Sequence, residues 1–559
     1  MTMKNRPFFF VSLFFTLLVC AQAQEHTIRP SSRSMVAEAI PGDNVLRFYR
    51  MAVPVTYSAF EQDFDMVYNQ VVSFWREVET YMNHIYVPLG FCFDIIEDKA
   101  LVMTAGNMID ENIYNAPSFG TELLNEVISP SAYDIGIWVT HRDDFEENSG
   151  LSIENGAYMP STKASGYAKT DKWVVAHEVG HLLGANHTSG GEGSLMDNGG
   201  DFLSYPSIKR IRTACMQKNS AYYSDEARTK LHGTDKGENY VYGIKVDNSA
   251  PEFVADKMHH IYEIPQGALL SIQVHAKDLQ GDKMEFMSIG CSHSTVEHVV
   301  EGNEPPFFAA KPPQTSTRIE YVPLYMSDIL YDDFYYPVSG TDIHCLNAGE
   351  YSMSILVRDI PHTQAWSYET LKQKPFYCCY SVWEASVRIV QGNDFKVTLA
   401  PNKEEYIAGE EIYVEWEVNN NFFSSDNKLR VTMSDNYGST FEHVLAQDVP
   451  AMNGCTKIKL PNVNVRHVDV DFITAKRPMR GGIIRLEEMD GAAFTLSTLS
   501  PDNGGGFTVV GAENTDIVSV HSASTTTQAI YDIQGRKVSP QNSVTSGVYI
   551  TNGKAIIIR

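Results

Sequence analysis

Residues 173–187 decide how the rest of the chain is interpreted, and they read Trp173-Val174-Val175-Ala176-His177-Glu178-Val179-Gly180-His181-Leu182-Leu183-Gly184-Ala185-Asn186-His187. A helix is predicted from Asp171 to Leu183, because Asp171 can cap its amino end. An apolar stripe with helical spacing supports this helix and consists of Val175, Val179, Leu182 and Leu183. His177 and His181 are four residues apart, so their side chains share one helix face about 5–6 Å from each other.

The two histidines have the spacing of two ligands of one tetrahedral Zn²⁺ ion. Gly184 tolerates a positive φ and can turn the chain sharply at the end of the helix. That turn would return His187 as a third ligand and leave a fourth position open for water, as catalytic zinc sites require. Glu178 stands beside the first ligand, within reach of that water. A helix with incidental histidines is the alternative, which the bare HExxH pattern allows and the longer HExxHxxGxxH pattern makes far rarer.

These residues resemble the motif of the metzincin metalloproteases. Ser194-Leu195-Met196-Asp197 matches the Met-turn of that group, with Met196 nine residues after His187. Within the group, the chain is most similar to bacterial reprolysin-like (adamalysin-type) peptidases. The resemblance implies an α/β zincin-like catalytic domain that hydrolyses peptide bonds, with Glu178 as the general base and then the general acid. It also implies that the Met196 thioether lies under the metal as an apolar floor.

The catalytic domain is expected at residues 44–240. Its hydrophobic pattern predicts a first strand at Val45–Tyr57, a helix at Asp63–Asn83 and a buried strand at Ile135–Thr140. The helix would bury one apolar face, which consists of Val67, Val71, Phe74, Val78 and Met82.

Residues 150–158 are predicted to form an exposed edge strand of this domain. The resemblance implies that this edge docks substrate backbone as an added antiparallel strand, through Gly150, Leu151, Gly156 and Ala157. A plain Gly-rich surface loop is the alternative. The chain also departs from the family pattern in two places. Thr188 stands where animal reprolysins usually have Asp, and the segment between the third histidine and the Met-turn, residues 189–193, is short and Gly-rich. Cleavage preference is therefore left open.

Alternating β-patterns follow the catalytic domain, and they predict two all-β sandwiches at residues 249–391 and 395–501. The first resembles an Ig- or cadherin-like module. Asp278 and Asp282 in it either bind Ca²⁺ or are solvated carboxylates of a turn, and the turn is favoured because no further ligand pattern surrounds them. This module contains four cysteines, Cys291, Cys345, Cys378 and Cys379. Four cysteines permit three disulfide pairings, which the sequence does not distinguish. In the second sandwich, Trp416 alternates in phase with aliphatic residues and is predicted to be core.

Both ends of the chain read as export signals. Residues 1–23 combine basic Lys4 and Arg6, a short apolar run and a small-x-small cleavage site, which predicts a signal peptide. Residues 505–559 end in short alternating strands, Ile530–Val538, Gly547–Ile550 and Ile556–Ile558, which alone could form an ordinary terminal β-domain. Their YDxxGRxV…GxYxxxGK…III pattern resembles the C-terminal sorting domain of type IX secretion in Bacteroidetes. That resemblance implies the type IX machinery as a partner and a secreted or cell-surface location.

The remaining sequence properties exclude several classes of function. The 559 residues carry a formal net charge of −25 without long basic blocks, which argues against nucleic acid as a partner. The short segment 24–43 contains no cysteine, so a cysteine-switch latency mechanism is not expected. The sequence therefore predicts an exported zinc endopeptidase that acts on extracellular or host proteins and has no transmembrane helix once mature. The alternative is an inactive surface adhesion or matrix-binding protein that uses its β-sandwiches.

Overall fold

The structure is a computed structural model that describes residues 38–104, 116–141, 149–188, 194–197, 200–218, 241–289, 310–321, 348–360, 366–472, 475–497, 506–511 and four strands between 530 and 558. No helix in these residues is long and apolar enough to cross a bilayer. The predicted signal peptide lies outside the described residues. The described helices are α1 (Tyr57–Gln62), α2 (Tyr68–Tyr86), α3 (Ala116–Val127), α4 (Lys172–Leu182), α5 (Tyr205–Lys218) and α6 (Tyr368–Gln373).

Two sheets form the amino-terminal part, and they place α4 between α2 and an edge strand. The first described strand, β1 (Glu38–Ala39), belongs to a sheet described below. The strands of the two amino-terminal sheets are β2 (Val45–Ala52), β3 (Phe91–Ile95), β4 (Ile135–Gly136), β5 (Trp138–Thr140), β6 (Gly150–Ser152), β7 (Gly166–Lys169) and β8 (Tyr242–Lys245). In the first sheet β2 pairs in parallel with β3 and β4 and antiparallel with β8. The second sheet has the order β5-β7-β6, so β6 is an edge strand, antiparallel to β7.

The first elements of this part are shorter than the hydrophobic pattern predicts. Strand β2 ends at Ala52, since Thr56 then caps the separate helix α1 by accepting from the Ala59 N–H. Asp65 and Met66 have positive φ angles of 50° and 60°, which interrupts helical geometry, so α2 begins at Tyr68 and not at Asp63.

The buried face of α2 also differs from the prediction. Val71, Val78 and Met82 are buried as expected, whereas Val67 is 43% exposed. Trp75 takes the fully buried place predicted for Phe74, and its indole N–H donates to the Val53 carbonyl at 2.9 Å. A partner for the indole nitrogen thus allows the larger ring to be the buried one.

The described remainder of the chain is almost entirely β. Its strands are β9 (Glu252–Phe253), β10 (Ile261–Pro265), β11 (Leu269–Gln273), β12 (Ala276–Lys277), β13 (Lys283–Ile289), β14 (Lys311–Gln314), β15 (Arg318–Tyr321), β16 (Gly349–Ile360), β17 (Tyr380–Val390), β18 (Val397–Ala400), β19 (Glu405–Ile407), β20 (Glu411–Trp416), β21 (Lys428–Ser434), β22 (His443–Pro450), β23 (Cys455–Lys459), β24 (His467–Phe472), β25 (Ala475–Arg480), β26 (Ile483–Glu488), β27 (Ala493–Leu496), β28 (Thr508–Val510), β29 (Ile530–Asp532), β30 (Lys537–Val538), β31 (Gly547–Thr551) and β32 (Lys554–Ile558).

The two predicted sandwiches share one sheet. A six-stranded sheet has the order β15-β11-β27-β26-β21-β22, and Leu269 and Leu270 of β11 face Phe494 and Ala493 of β27. Backbone pairing therefore crosses the boundary expected between residues 391 and 395. Strand β20 alternates buried and exposed residues as predicted, and Trp416 is core, with its N–H donating to the Ala451 carbonyl at 2.8 Å.

The first accessory sheet packs against the amino-terminal part. Its order is β1-β17-β16-β13-β14, with β10 parallel to β17, so the short strand β1 is added to an accessory sheet. Cys378, Tyr380 and Val382 belong to the same hydrophobic core as helix α4. The two parts are therefore joined by a continuous buried core.

No disulfide links the cysteines in the described residues, where Cys378 and Cys379 are both buried as free thiols. Cys291 and Cys345 lie outside those residues. Near the carboxyl terminus, β29 to β32 form a four-stranded antiparallel sheet in the order β30-β29-β31-β32.

Candidate active site

Helix α4 is built as the sequence predicts. The Asp171 carboxylate caps it by accepting from the Trp173 N–H at 2.8 Å, and its apolar stripe is fully buried. Leu183 ends the helix, and Gly184 then adopts a φ of +104°. A Cβ at Gly184 would lie 2.6 Å from the Asn155 side-chain oxygen, so both conformation and space require glycine in this turn.

The turn brings the three predicted histidines together. The Nε2 atom of His187 lies 3.0 Å from Nε2 of His177 and 3.1 Å from Nε2 of His181. Nitrogen ligands at 2.0–2.1 Å from a tetrahedral zinc ion lie about 3.3 Å apart, so this spacing fits one shared ion. The three histidines therefore form a group that can hold a metal ion.

The other ring nitrogens explain why these Nε2 atoms can serve as ligands. Nδ1 of His177 lies 2.7 Å from the Leu195 carbonyl, and Nδ1 of His181 lies 2.8 Å from the Ala185 carbonyl. A carbonyl only accepts, so each Nδ1 carries the hydrogen and each Nε2 keeps its lone pair. Burial lowers the pKa of His177 to about 4 and also lowers the pKa of His181, so both rings are neutral at pH 7.

Glu178 is buried beside this group and is not one of its ligands. Its side chain is 4% exposed, and its Oε2 atom has no hydrogen-bond partner among the described residues. Burial raises its pKa to about 8. A carboxylate oxygen left unpaired in a buried site is costly unless water or substrate completes it. Glu178 thus has the position that a proton acceptor would need.

Met196 lies against helix α4, which carries the first two histidines. It is fully buried, and a Cβ added at Gly180 would lie 2.6 Å from its Sδ atom. The turn that carries it is tied to the third histidine, because Thr188 N–H donates to the Met196 carbonyl at 3.0 Å. The closeness of the Met196 thioether to Gly180 is consistent with the predicted apolar floor under the histidine group.

The predicted edge strand is real but shorter than expected. Gly150 and Leu151 lie on β6, which is the edge strand of its sheet among the described residues, and Leu151 is 48% exposed. Gly156 and Ala157 lie in a buried 3₁₀ turn, so they are outside the strand. The strand stops after Ser152 because the Asn155 N–H bonds the His181 carbonyl at 2.9 Å and Asn155 takes a φ of +62°.

Gly150 matters for a reason that the sequence did not reveal. A Cβ at this position would lie 2.6 Å from Oε1 of Glu178 and 2.8 Å from the Tyr167 carbonyl. The edge strand and the Glu178 carboxylate can approach each other only because residue 150 is glycine.

Tyr86 is a residue near the site that sequence reasoning missed. It is fully buried on α2, and its hydroxyl donates to the Ala176 carbonyl at 2.6 Å, next to the first histidine. Tyr86 is four residues after Met82, so it continues the apolar face of α2. This spacing was the sequence signal that could have predicted its burial.

The two aspartates predicted either to bind Ca²⁺ or to form a turn lie in a different part of the chain. Asp278 and Asp282 lie close together with the fully buried Asp359, which the sequence did not connect with them. Each oxygen of Asp359 accepts one hydrogen bond, one from the Cys379 N–H at 2.6 Å and one from the Asn248 side chain at 2.7 Å. Asp278 accepts backbone N–H groups from Gln280 and Asp282, as the predicted turn requires.

Comparison with known proteins adds an independent observation about the histidine site. Residues 80–188 match the family model of M12B reprolysin-like metallopeptidases. The matched stretch includes α4 and all three histidines, so it supports a zinc metallopeptidase domain. No protein with a curated description matches the chain.

Several solved structures show weak similarity to the chain. A chaperone–substrate complex is 16% identical over 29% of this chain and 30% of that chain, with a TM-score of 0.22. Human protocadherin-24 EC1-2 is 14% identical over 47% of this chain and 98% of that chain, with a TM-score of 0.15. The four N-terminal Ig domains of Dscam1 isoform 4.44 are 9% identical over 47% and 46%, with a TM-score of 0.12.

Proposed function

We propose that this protein is an exported zinc-dependent endopeptidase of the reprolysin-like metzincin type. The observation that carries the proposal is the convergence of three histidine Nε2 atoms beside the buried, unpaired carboxylate oxygen of Glu178. His177, His181 and His187 would hold the zinc, which supplies polarisation of the scissile carbonyl and acidification of the attacking water. The residues of the chain supply the positioning and the proton transfer.

Glu178 acts as general base and then as general acid. Because burial raises its pKa, its carboxylate accepts a proton more readily than an exposed glutamate would. It takes the proton of the attacking water at Oε2 and then delivers it to the amine that leaves when the peptide bond breaks.

Strand β6 aligns the substrate in this proposal. Among the described residues no strand pairs with its outer edge in the sheet order β5-β7-β6, so an extended peptide can add to it through backbone hydrogen bonds. Gly150 then lies at the place where the added strand passes Glu178. An extended peptide passing through the site, and not a chain terminus, is the expected substrate.

The export route and the substrates belong to the same proposal. The signal-peptide pattern at residues 1–23 and the sorting-domain pattern at 505–559 support passage through the type IX secretion machinery to the cell surface or beyond. Extracellular or host proteins would then be the substrates. An inactive adhesion protein would have no need of Glu178 in this position.

Metal content and one substituted residue test the proposal. The mature full chain is expected to retain one zinc ion and to cleave a mixed peptide library internally. Replacing Glu178 with Ala should lower kcat by roughly 10²–10⁴-fold while zinc is retained. Glu126→Ala, which changes an exposed glutamate on α3, is the matched control. A chain that binds no zinc, or a Glu178→Ala variant with unchanged hydrolysis, would rule the enzyme out.

A further inference from the structure

The third histidine is supported differently from the other two. His177 and His181 each direct Nδ1 at a backbone carbonyl, whereas Nδ1 of His187 has no acceptor among the residues that the structure describes. His187 is also the most exposed of the three. Histidines that bind metals are usually oriented by a hydrogen bond at the second ring nitrogen. The described contacts of the residues on either side of His187 are therefore the ones that can orient it.

The backbone on the carboxyl side of His187 is fixed by its neighbour. Thr188 N–H donates to the Met196 carbonyl at 3.0 Å, and the Thr188 hydroxyl lies 3.1 Å from that of Ser194. This pairing fixes the chain after the ligand. On the amino side the chain is held as far as Ala185, whose N–H donates to the Gly180 carbonyl at 2.9 Å and whose carbonyl accepts from Nδ1 of His181 at 2.8 Å. A contact of Asn186, directly before His187, would complete the support on this side.

The Asn186 side chain provides that contact. With its amide nitrogen towards Glu154, it lies 3.0 and 3.2 Å from the two carboxylate oxygens of Glu154. Its amide oxygen then accepts from Nη1 of Arg210 at 2.8 Å. A carboxylate only accepts and a guanidinium only donates, so these two neighbours determine the orientation of the amide between them.

The two partners come from different elements on either side of the turn. Glu154 lies two residues beyond β6 and next to Asn155, whose N–H bonds the His181 carbonyl at 2.9 Å. Arg210 belongs to α5. Asn186 therefore joins the end of the edge strand to α5, at the residue directly before the third ligand.

We propose that Asn186 is a positioning residue for the third zinc ligand, held in place by Glu154 and Arg210. The inference rests on the proposed zinc site. It assigns a role to Asn186, at a variable position of the HExxHxxGxxH motif, and to Glu154 and Arg210 outside that motif. Without these contacts the backbone before His187 can move, and the site binds zinc only after His187 has been ordered. The cost of that ordering lowers the affinity for zinc.

Zinc affinity measured on the full chain tests this role without using activity. Asn186→Leu keeps the size of the side chain and removes both polar contacts. Its zinc dissociation constant, measured by competition with a chelator, is expected to rise roughly 10–100-fold. Asn69→Leu, which changes an exposed asparagine on α2, should leave the constant unchanged. An unchanged zinc affinity in Asn186→Leu overturns the proposal.

A charge-exchange pair keeps the test decisive if the Leu variant folds poorly. Asn186→Asp sets a second carboxylate against Glu154 and should weaken zinc binding. Adding Glu154→Gln restores a donor–acceptor pair and should recover both the affinity and the tetrahedral absorption spectrum of the Co²⁺-substituted protein. A double variant no better than Asn186→Asp contradicts the proposal. If the wild-type chain itself bound no zinc, the proposed function would fail instead.

Discussion

At the scale of single residues, Gly150 sets how closely the edge strand approaches the carboxylate of Glu178, the proposed general base. Because an added Cβ would lie 2.6 Å from Oε1 of Glu178, Gly150→Ala must displace either the strand or the carboxylate. We expect kcat/KM to fall by roughly 10²-fold with zinc content unchanged. Peptide hydrolysis and metal analysis of the same sample measure this. Ser149→Ala, at the exposed preceding position, is the control, and equal losses in both variants would contradict the explanation.

Lys163 offers a residue-scale prediction about pH. It is fully buried, and its ammonium group donates to the carbonyls of Pro130 at 2.5 Å and Tyr133 at 2.8 Å. Burial lowers its pKa from 10.5 to about 8. At pH values between these two pKa values, Lys163 is protonated in the unfolded chain and neutral in the folded chain. The contribution of Lys163 to the free energy of unfolding therefore rises with pH.

Lys163→Met should remove this pH dependence. The difference in unfolding free energy between wild type and variant is expected to change by about 1–3 kcal/mol across that window, in favour of wild type at the higher pH. Denaturant unfolding at several pH values measures it, with Lys218→Met on α5 as an exposed control. A difference that does not vary with pH would contradict the assignment.

At the scale of elements, helix α4 depends on its cap. Asp171→Ala removes the acceptor of the Trp173 N–H and should lower the unfolding free energy by about 1 kcal/mol. Asp171→Asn keeps a capping oxygen and should retain most of the stability. The midpoint of denaturant unfolding distinguishes the two variants, and equal losses in both would mean that the negative charge, and not the cap, is what stabilises the helix.

The elements also show where prediction from sequence worked. Helix α4 agrees closely with its predicted bounds, because cap, apolar spacing and terminal glycine are all local signals. Strand β2 and helix α2 do not, because the hydrophobic pattern continues through residues 53–67 while Thr56 caps a separate helix and positive φ angles interrupt the chain. Such breaks are set by individual backbone conformations that a hydrophobic pattern does not record.

At the scale of the whole molecule, Arg212 joins the metallopeptidase domain to the accessory sheet. It is 2% exposed on α5 and donates to the carbonyls of Pro88 at 3.2 Å and Cys378 at 2.5 Å. The rings of Tyr377 and Tyr380 lie 4.7 and 4.6 Å from its guanidinium carbon. A cation buried with carbonyl and aromatic neighbours depends on both parts of the chain being in place.

Arg212→Met should therefore loosen the junction of the two parts. It leaves two buried carbonyls without a donor, and we expect a loss of about 2–4 kcal/mol in unfolding free energy. Calorimetry should show a lower transition temperature, with the wild-type transition broadening or dividing. Lys218→Ala on the same helix is the control. An unchanged transition would mean that the two parts are stable independently.

The sequence by itself determined the zinc motif, the helix that carries it and the alternating strands of the accessory part. These features depend on residues close together in the chain, where spacing alone fixes which side chains share a face. The tertiary structure alone decided that Gly150 borders Glu178, that Asn186 lies between Glu154 and Arg210, and that the two sandwiches share a sheet. Each of these contacts joins residues that are distant in sequence, and close packing of the folded chain is what selects them.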